Sequence, residues 1–139
     1  MSAEALRIAV VVDPSLAVGP LANTVSAIAI GLGGAVPGLA GTLLTDAGGQ
    51  AVRTSANRPV TLLQAAPEAL AALLARALPA PDGGVVVPFP RFARGVHRFE
   101  DYLAEFTHRT LAGEALDGLG LCGPDKWVRS LTGSLKLLR

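Results

Sequence analysis

Residues 119–139 read LGLCGPDKWVRSLTGSLKLLR, and this stretch decides the fold. Its first four residues form an apolar strand, and Gly123-Pro124 breaks it. Pro124 suits a first helical position, where the missing N–H costs nothing. Trp127, Val128 and Leu131 then share one helical face, and Gly133 is expected to end the helix in a left-handed conformation. Residues 134–139 alternate apolar and polar side chains well enough for a closing strand.

Working outward, residues 7–13 are a β-branched apolar run ending in Asp13-Pro14, which marks a strand leaving a sheet. A helix is expected over residues 20–32. Its apolar residues almost encircle it, so cover on most sides is expected, from sheet, helix or a second subunit. Residues 42–46 and 51–54 flank Ala47-Gly48-Gly49-Gln50, a hairpin signal. A strand over 59–64 follows, then a helix over 67–78 with Leu70, Leu73, Leu74 and Leu78 on one face. Residues 85–89 are a further strand. Residues 96–111 are amphipathic, with Phe99, Tyr102, Leu103 and Phe106 on the inward side. Strands alternating with helices predict a single α/β domain over residues 1–139, a mixed β-sheet with helices on both faces.

The closing unit, with Thr132-Gly133-x-Leu135-Lys136-Leu137, resembles the end of type II peptidyl-tRNA hydrolases. Val10-Val11-Val12-Asp13, Gly19 and the helix carrying Ala22-Asn23-Thr24 are similar to that superfamily's start. The likeness over nearly the whole chain is to an uncharacterised bacterial domain-of-unknown-function family of the same superfamily. The resemblance implies a type II peptidyl-tRNA hydrolase-like fold and a homodimer. In the hydrolases it also implies a lysine in the loop after the first strand and an aspartate in an Asp-Ala-Gly segment after the second helix. Here those places hold Ala17-Val18-Gly19-Pro20-Leu21 and Val85-Val86-Val87-Pro88-Phe89-Pro90-Arg91, with neither residue. Ester hydrolysis needs an activated water and a stabilised oxyanion, and both departures remove charge from that chemistry. Asp46-Ala47-Gly48 precedes the second helix, so chain order makes it a hairpin turn.

The 139 residues carry a net charge of +1, which argues against a general nucleic-acid binder while leaving tRNA open. One cysteine, Cys122, excludes a disulfide framework and a cysteine-rich metal site, and no cofactor is indicated. No charged residue lies between Asp13 and Asp46, but Pro20, Asn23, Pro37 and six glycines interrupt that gap. It therefore falls short of the roughly 20 apolar residues of a membrane span. The N-terminus MSAEALR mixes charges and carries no secretory signal. A cytoplasmic protein without a membrane partner is expected.

The candidate ligand-binding residues are Asp13, Asn23, Thr24, Thr132 and Lys136. Asp13 ends a strand where α/β sheets bind ligands. Asn23 and Thr24 lie near a helix start that suits an anion, or they cap its first turn or bond neighbouring backbone. Lys136 either holds an anion or guards a strand edge. Arg91, Arg94 and Arg98 with His97 form a basic cluster, facing phosphate or carboxylate or pairing with Glu100 and Asp101. Cys122 reads as a small core residue. The leading expectation is a small anionic or nucleotide-like ligand bound by an accessory protein. A hydrolase or acyl-transfer enzyme with relocated catalytic groups competes with it, and a dimerisation module built on the first helix is a third.

Overall fold

The structure is a computed structural model and describes residues 5–139. The expectation of no secretory signal at the N-terminus falls in part outside them. Five strands form one mixed sheet in the order β5 (Val85–Pro90), β6 (Leu116–Pro124), β1 (Leu6–Val12), β4 (Val60–Gln64) and β7 (Lys136–Leu137). β1 runs parallel to β4 and antiparallel to β6, while β5 and β7 close the two edges antiparallel. Residues 8–12 of β1 are apolar without interruption because they are central and covered on both faces. Ile8, Val10 and Val12 enter one core, while Ala9 and Val11 enter the other.

Helix α1 (Val18–Ala35) covers the first face, and α2 (Pro67–Ala77) and α4 (Asp125–Thr132) cover the second. β6 is cut to fit this. Gly118, Gly120 and Cys122 point toward α1, and Leu119 and Leu121 pack with α2 and α4. The two glycines let α1 lie directly on the strand, with Thr24, Ile28 and Leu32 (the i, i+4, i+8 row) buried in the seam. Fully burying Ile28 or Leu32 stabilises the fold by about 1.5–3 kcal/mol each. α2 starts at Pro67 and buries Leu70, Leu73, Leu74 and Ala77; Leu78, expected on that face, lies past the last turn and is exposed. α4 buries Val128 and Leu131 as expected and opens on Asp125, whose N–H donates to the Ala5 carbonyl at 2.9 Å.

Several expectations change. Gly133 is right-handed (φ −62°), and α4 ends because Leu135 N–H turns back to the Thr132 carbonyl at 3.0 Å. The closing strand shortens to β7. Of the amphipathic segment 96–111 only an eight-residue α3 (Phe99–Phe106) is α-helical, since Arg98 is extended, and a 3-10 turn (Arg91–Gly95) precedes the segment. α3 buries no residue fully, and Phe99 and Leu103, expected to face inward, are exposed. It rests on the 3-10 turn instead of the sheet. Phe92 stacks on Tyr102 at 5.5 Å, Tyr102 meets Phe106 at 5.9 Å, and the Arg109 guanidinium covers Phe92 at 4.1 Å.

α1 is also less covered than its composition implies. It has the length and apolarity of a membrane span, and its seam residues lie on β6. Ala22, Asn23, Ser26, Ala27, Ala29 and Ile30 are exposed. A hairpin of β2 (Leu43–Thr45) and β3 (Ala51–Arg53) projects after α1, exposed at every strand position.

Candidate functional site

Asp13 follows β1 and Asp117 lies near the start of β6, one step beyond the Val12–Gly118 pair, so the antiparallel register sets them side by side. The Asp13 N–H donates to the Asp117 carbonyl at 3.0 Å. Both side chains are buried, and like charges placed opposite each other on neighbouring strands are destabilising. The 3-10 turn after β5 supplies the countercharge. Arg94 sets its fork on Asp117, with Nη2 at 2.6 Å from Oδ1 and Nε on Oδ2. Arg91 Nε donates to Asp117 Oδ1 at 3.2 Å, and its Nη2 lies 3.7 Å from Asp13 Oδ2. The Ser15 N–H and hydroxyl both donate to Asp13 Oδ1, at 2.9 and 2.8 Å.

Two carboxylates and two guanidiniums thus form one neutral cluster at the sheet's end. Burial alone pushes the Asp117 carboxyl up, but the bonds and charges of Arg94 and Arg91 outweigh it and hold it below the ordinary aspartate value. The same bond raises Arg94. Asp117 is therefore ionised at neutral pH and has no proton to lend as a general acid. The guanidinium side chains remain 45% and 42% exposed for Arg91 and Arg94, so their inner edges are fixed while their outer edges reach solvent.

A groove of about 610 Å³ runs between α1 and the segment leading into α3. Asn23, Ala27 and Ile30 form one wall, Val87 and Phe89 the floor, and Ala93, Phe99 and Tyr102 the other wall, with His97 and Arg98 at its polar side. The 3-10 turn joins the two features: Ala93 lines the groove, and Arg91 and Arg94 flank it in sequence.

Each sequence candidate has a definite place. Asp13 is in the charged cluster and Asn23 lines the groove. Thr24 is buried and donates its hydroxyl to the Pro20 carbonyl at 2.8 Å, while its methyl packs over Gly118. Thr132 likewise donates to the Val128 carbonyl at 2.8 Å. Both hydroxyls are spent within their own helices, the alternative already open for Thr24. Lys136 pairs with Gln64 on the edge strand and lines a separate depression with Arg139. Through Gln64 the register sets Lys136 two strands from Val12, and among the described residues no hydrogen bond or ion pair joins Thr132 or Lys136 to Asp13. Asp46 serves the hairpin turn, its Oδ1 taking the Gly48 and Gln50 N–H groups at 2.9 and 2.8 Å.

Asp117 escapes the sequence reading because the strand is expected to begin at Leu119; it begins at Leu116. An acidic residue just ahead of the Gly118-Leu119-Gly120-Leu121 alternation was the available signal. Of the basic cluster, Arg98 pairs with Glu100 at 3.8 Å, but Arg91 and Arg94 turn to Asp117. Among the described residues, no three His, Cys, Asp or Glu side chains gather as a metal site.

The fold is shared with a solved protein of unknown function, Atu0240 of Agrobacterium tumefaciens strain C58. The two agree with a TM-score of 0.83 over 95% of this chain and 96% of that one, at 22% identity. No curated protein matches. Residues 6–139 match the family model described as "Protein of unknown function (DUF2000)", and the chain belongs to that family.

Proposed function

We propose that the protein binds a small organic anion, its apolar or ring portion in the groove between α1 and α3 and its phosphate or carboxylate at Arg91 and Arg94. One observation carries this reading: two guanidiniums are held from behind by buried carboxylates with their outer edges exposed, on the turn that also lines the groove. Fixing a fork before the ligand arrives lowers the ordering cost of binding. The groove volume falls within the roughly 300–1,000 Å³ of ligand sites, and its apolar lining with a few polar groups is the usual composition. Nucleotide-like ligands suit it, since Tyr102 and Phe99 offer aromatic surface. In this reading Asn23 touches ligand, and Asp13 acts by holding Arg91.

The scaffold is read as type II peptidyl-tRNA hydrolase-like, supported by the closing strand–Gly-Pro–helix–strand unit. Hydrolysis is not part of the proposal. The first loop has no lysine, residues 85–91 hold no aspartate, and Asp117 is committed to Arg94.

Thermal-shift screening against nucleoside monophosphates, aromatic carboxylates and inorganic phosphate tests the proposal. A ligand at 100 times its dissociation constant should add about 2.7 kcal/mol of stability. The shift should vanish in Arg91→Ala and survive in Lys136→Ala. If no compound raises the melting temperature, the reading fails. Peptide release from peptidyl-tRNA that is abolished by Asp13→Ala would favour a hydrolase instead.

A further inference from the structure

Polar side chains around the groove between α1 and α3 divide into two kinds. Those that do not line it are spent on their own helices: Thr24 on the Pro20 carbonyl, Ser26 on the Ala22 carbonyl and Thr107 on the Ala104 carbonyl, each at 2.8 Å. Of those that do line it, Arg98 pairs with Glu100 at 3.8 Å. Asn23, His97 and Tyr102 line it as well, and among the described residues their side chains have no hydrogen-bond partner. Water is left to satisfy them.

Asn23 is the best placed of the three. Asn23, Ala27, Ile30 and Gly31 form the row of α1 that faces the groove, spaced as one helical face requires. Its other members are apolar, so Asn23 is the row's one hydrogen-bonding side chain. Asparagine is a weaker helix former than alanine or leucine, and the helix itself gains nothing from it. The row lies along β5: Gly31 sits against Val87, while Thr24, next to Asn23, packs on Gly118, the partner of Phe89. Asn23 is thus at the end where β5 passes into the turn carrying Arg91 and Arg94.

A side-chain amide offers a donor and an acceptor next to each other, and a flat ring with adjacent N–H and C=O groups matches both. A hydrocarbon ring in the same place would displace water and leave the amide unpaired, the loss by which hydrogen-bonding sites reject such analogues. We infer that Asn23 determines ring specificity, selecting a ligand whose ring carries adjacent N–H and C=O groups close to its anionic group. This rests on the ligand reading above and adds to it the chemistry of the ring. The same ring edge occurs in pyrimidine nucleotides and in ring carboxylates, which differ in the anion they bring to Arg91 and Arg94.

Calorimetric titration of the full chain with two matched pairs tests it: uridine monophosphate against phenyl phosphate, and orotate against benzoate. Within at least one pair the ring with the N–H and C=O edge should bind about tenfold more tightly, equivalent to about 1.4 kcal/mol. Which pair discriminates separates the phosphate source from the carboxylate source. Asn23 is exposed, so Asn23→Leu should fold as the parent does, and it should bring the two members of that pair to equal affinity. Equal binding within both pairs by the parent overturns the inference and leaves the ligand reading standing. A preference that survives Asn23→Leu overturns it as well. If none of the four compounds binds, the inference falls together with the ligand reading.

Discussion

Asp13 and Asp117 face each other across β1 and β6, joined by a backbone hydrogen bond of 3.0 Å, with both carboxylates turned to arginines of one 3-10 turn. Neither strand needs an aspartate to form, and two adjacent buried carboxylates weaken the sheet unless they are compensated. The pair therefore fixes the turn that carries Arg91 and Arg94, and through Ala93 it fixes a wall of the groove.

Replacing Asp117 by Asn keeps the shape and removes the charge. Hydrogen bonds to charged groups contribute about 1.5–3 kcal/mol, and the lower end applies here because water screens the half-exposed Arg94. Asp13→Asn should cost less, since Arg91 approaches it only to 3.7 Å. Urea unfolding measures both, and an Asp117→Asn protein as stable as the parent would refute the clamp.

The same group sets a pH dependence. The Asp117 carboxyl is lower in the folded protein than in the unfolded chain, so its contribution is complete above the unfolded value near 3.8. It disappears as pH falls through the folded value. The parent should lose urea resistance below about pH 4, and Asp117→Asn should lose less over the same range. Parallel curves for the two proteins would contradict this.

Much of this fold is legible in the sequence because local rules and tertiary packing agree there. The β1 run, the Pro67 start of α2 and the Trp127, Val128, Leu131 face each follow one pattern that the sheet also requires. The segment 91–111 is not legible: the apolar spacing over 96–111 holds only the short α3, and Arg91 and Arg94 are drawn toward Asp117, a partner 23 to 26 residues away. Gly133 misleads for a simpler reason: glycine permits φ > 0 without requiring it. Of the candidate site, Asp13 and Asn23 were readable from their place after a strand and in a helix. The cross-strand register that brings Asp117 to Asp13 is written in no local window.

Cys122 is fully buried under α1, and burial pushes its thiol up against a small opposing influence from Arg58. Only the thiolate attacks disulfide reagents. In native buffer the reaction with an aromatic disulfide should therefore be far slower than for a free cysteine. It should accelerate in urea, where α1 separates from β6. Rapid reaction without denaturant would show that the seam opens easily.

That seam yields the most specific test, because it names both sides of a contact. A Cβ placed on Gly118 comes within 2.9 Å of Ile28 Cδ1 and Thr24 Cγ2 and 3.1 Å of the Val11 carbonyl. Gly118→Ala should destabilise the protein by about 1–3 kcal/mol, the usual cost of overpacking a core. Ile28→Val removes the Cδ1 that meets the new methyl and should by itself cost about 0.5–1.5 kcal/mol. If the clash is the cause, the double variant must be more stable than the sum of the single losses predicts, with a coupling of about 0.5 kcal/mol or more. Strict additivity in urea unfolding would place the damage in the β6 backbone instead of the α1 contact.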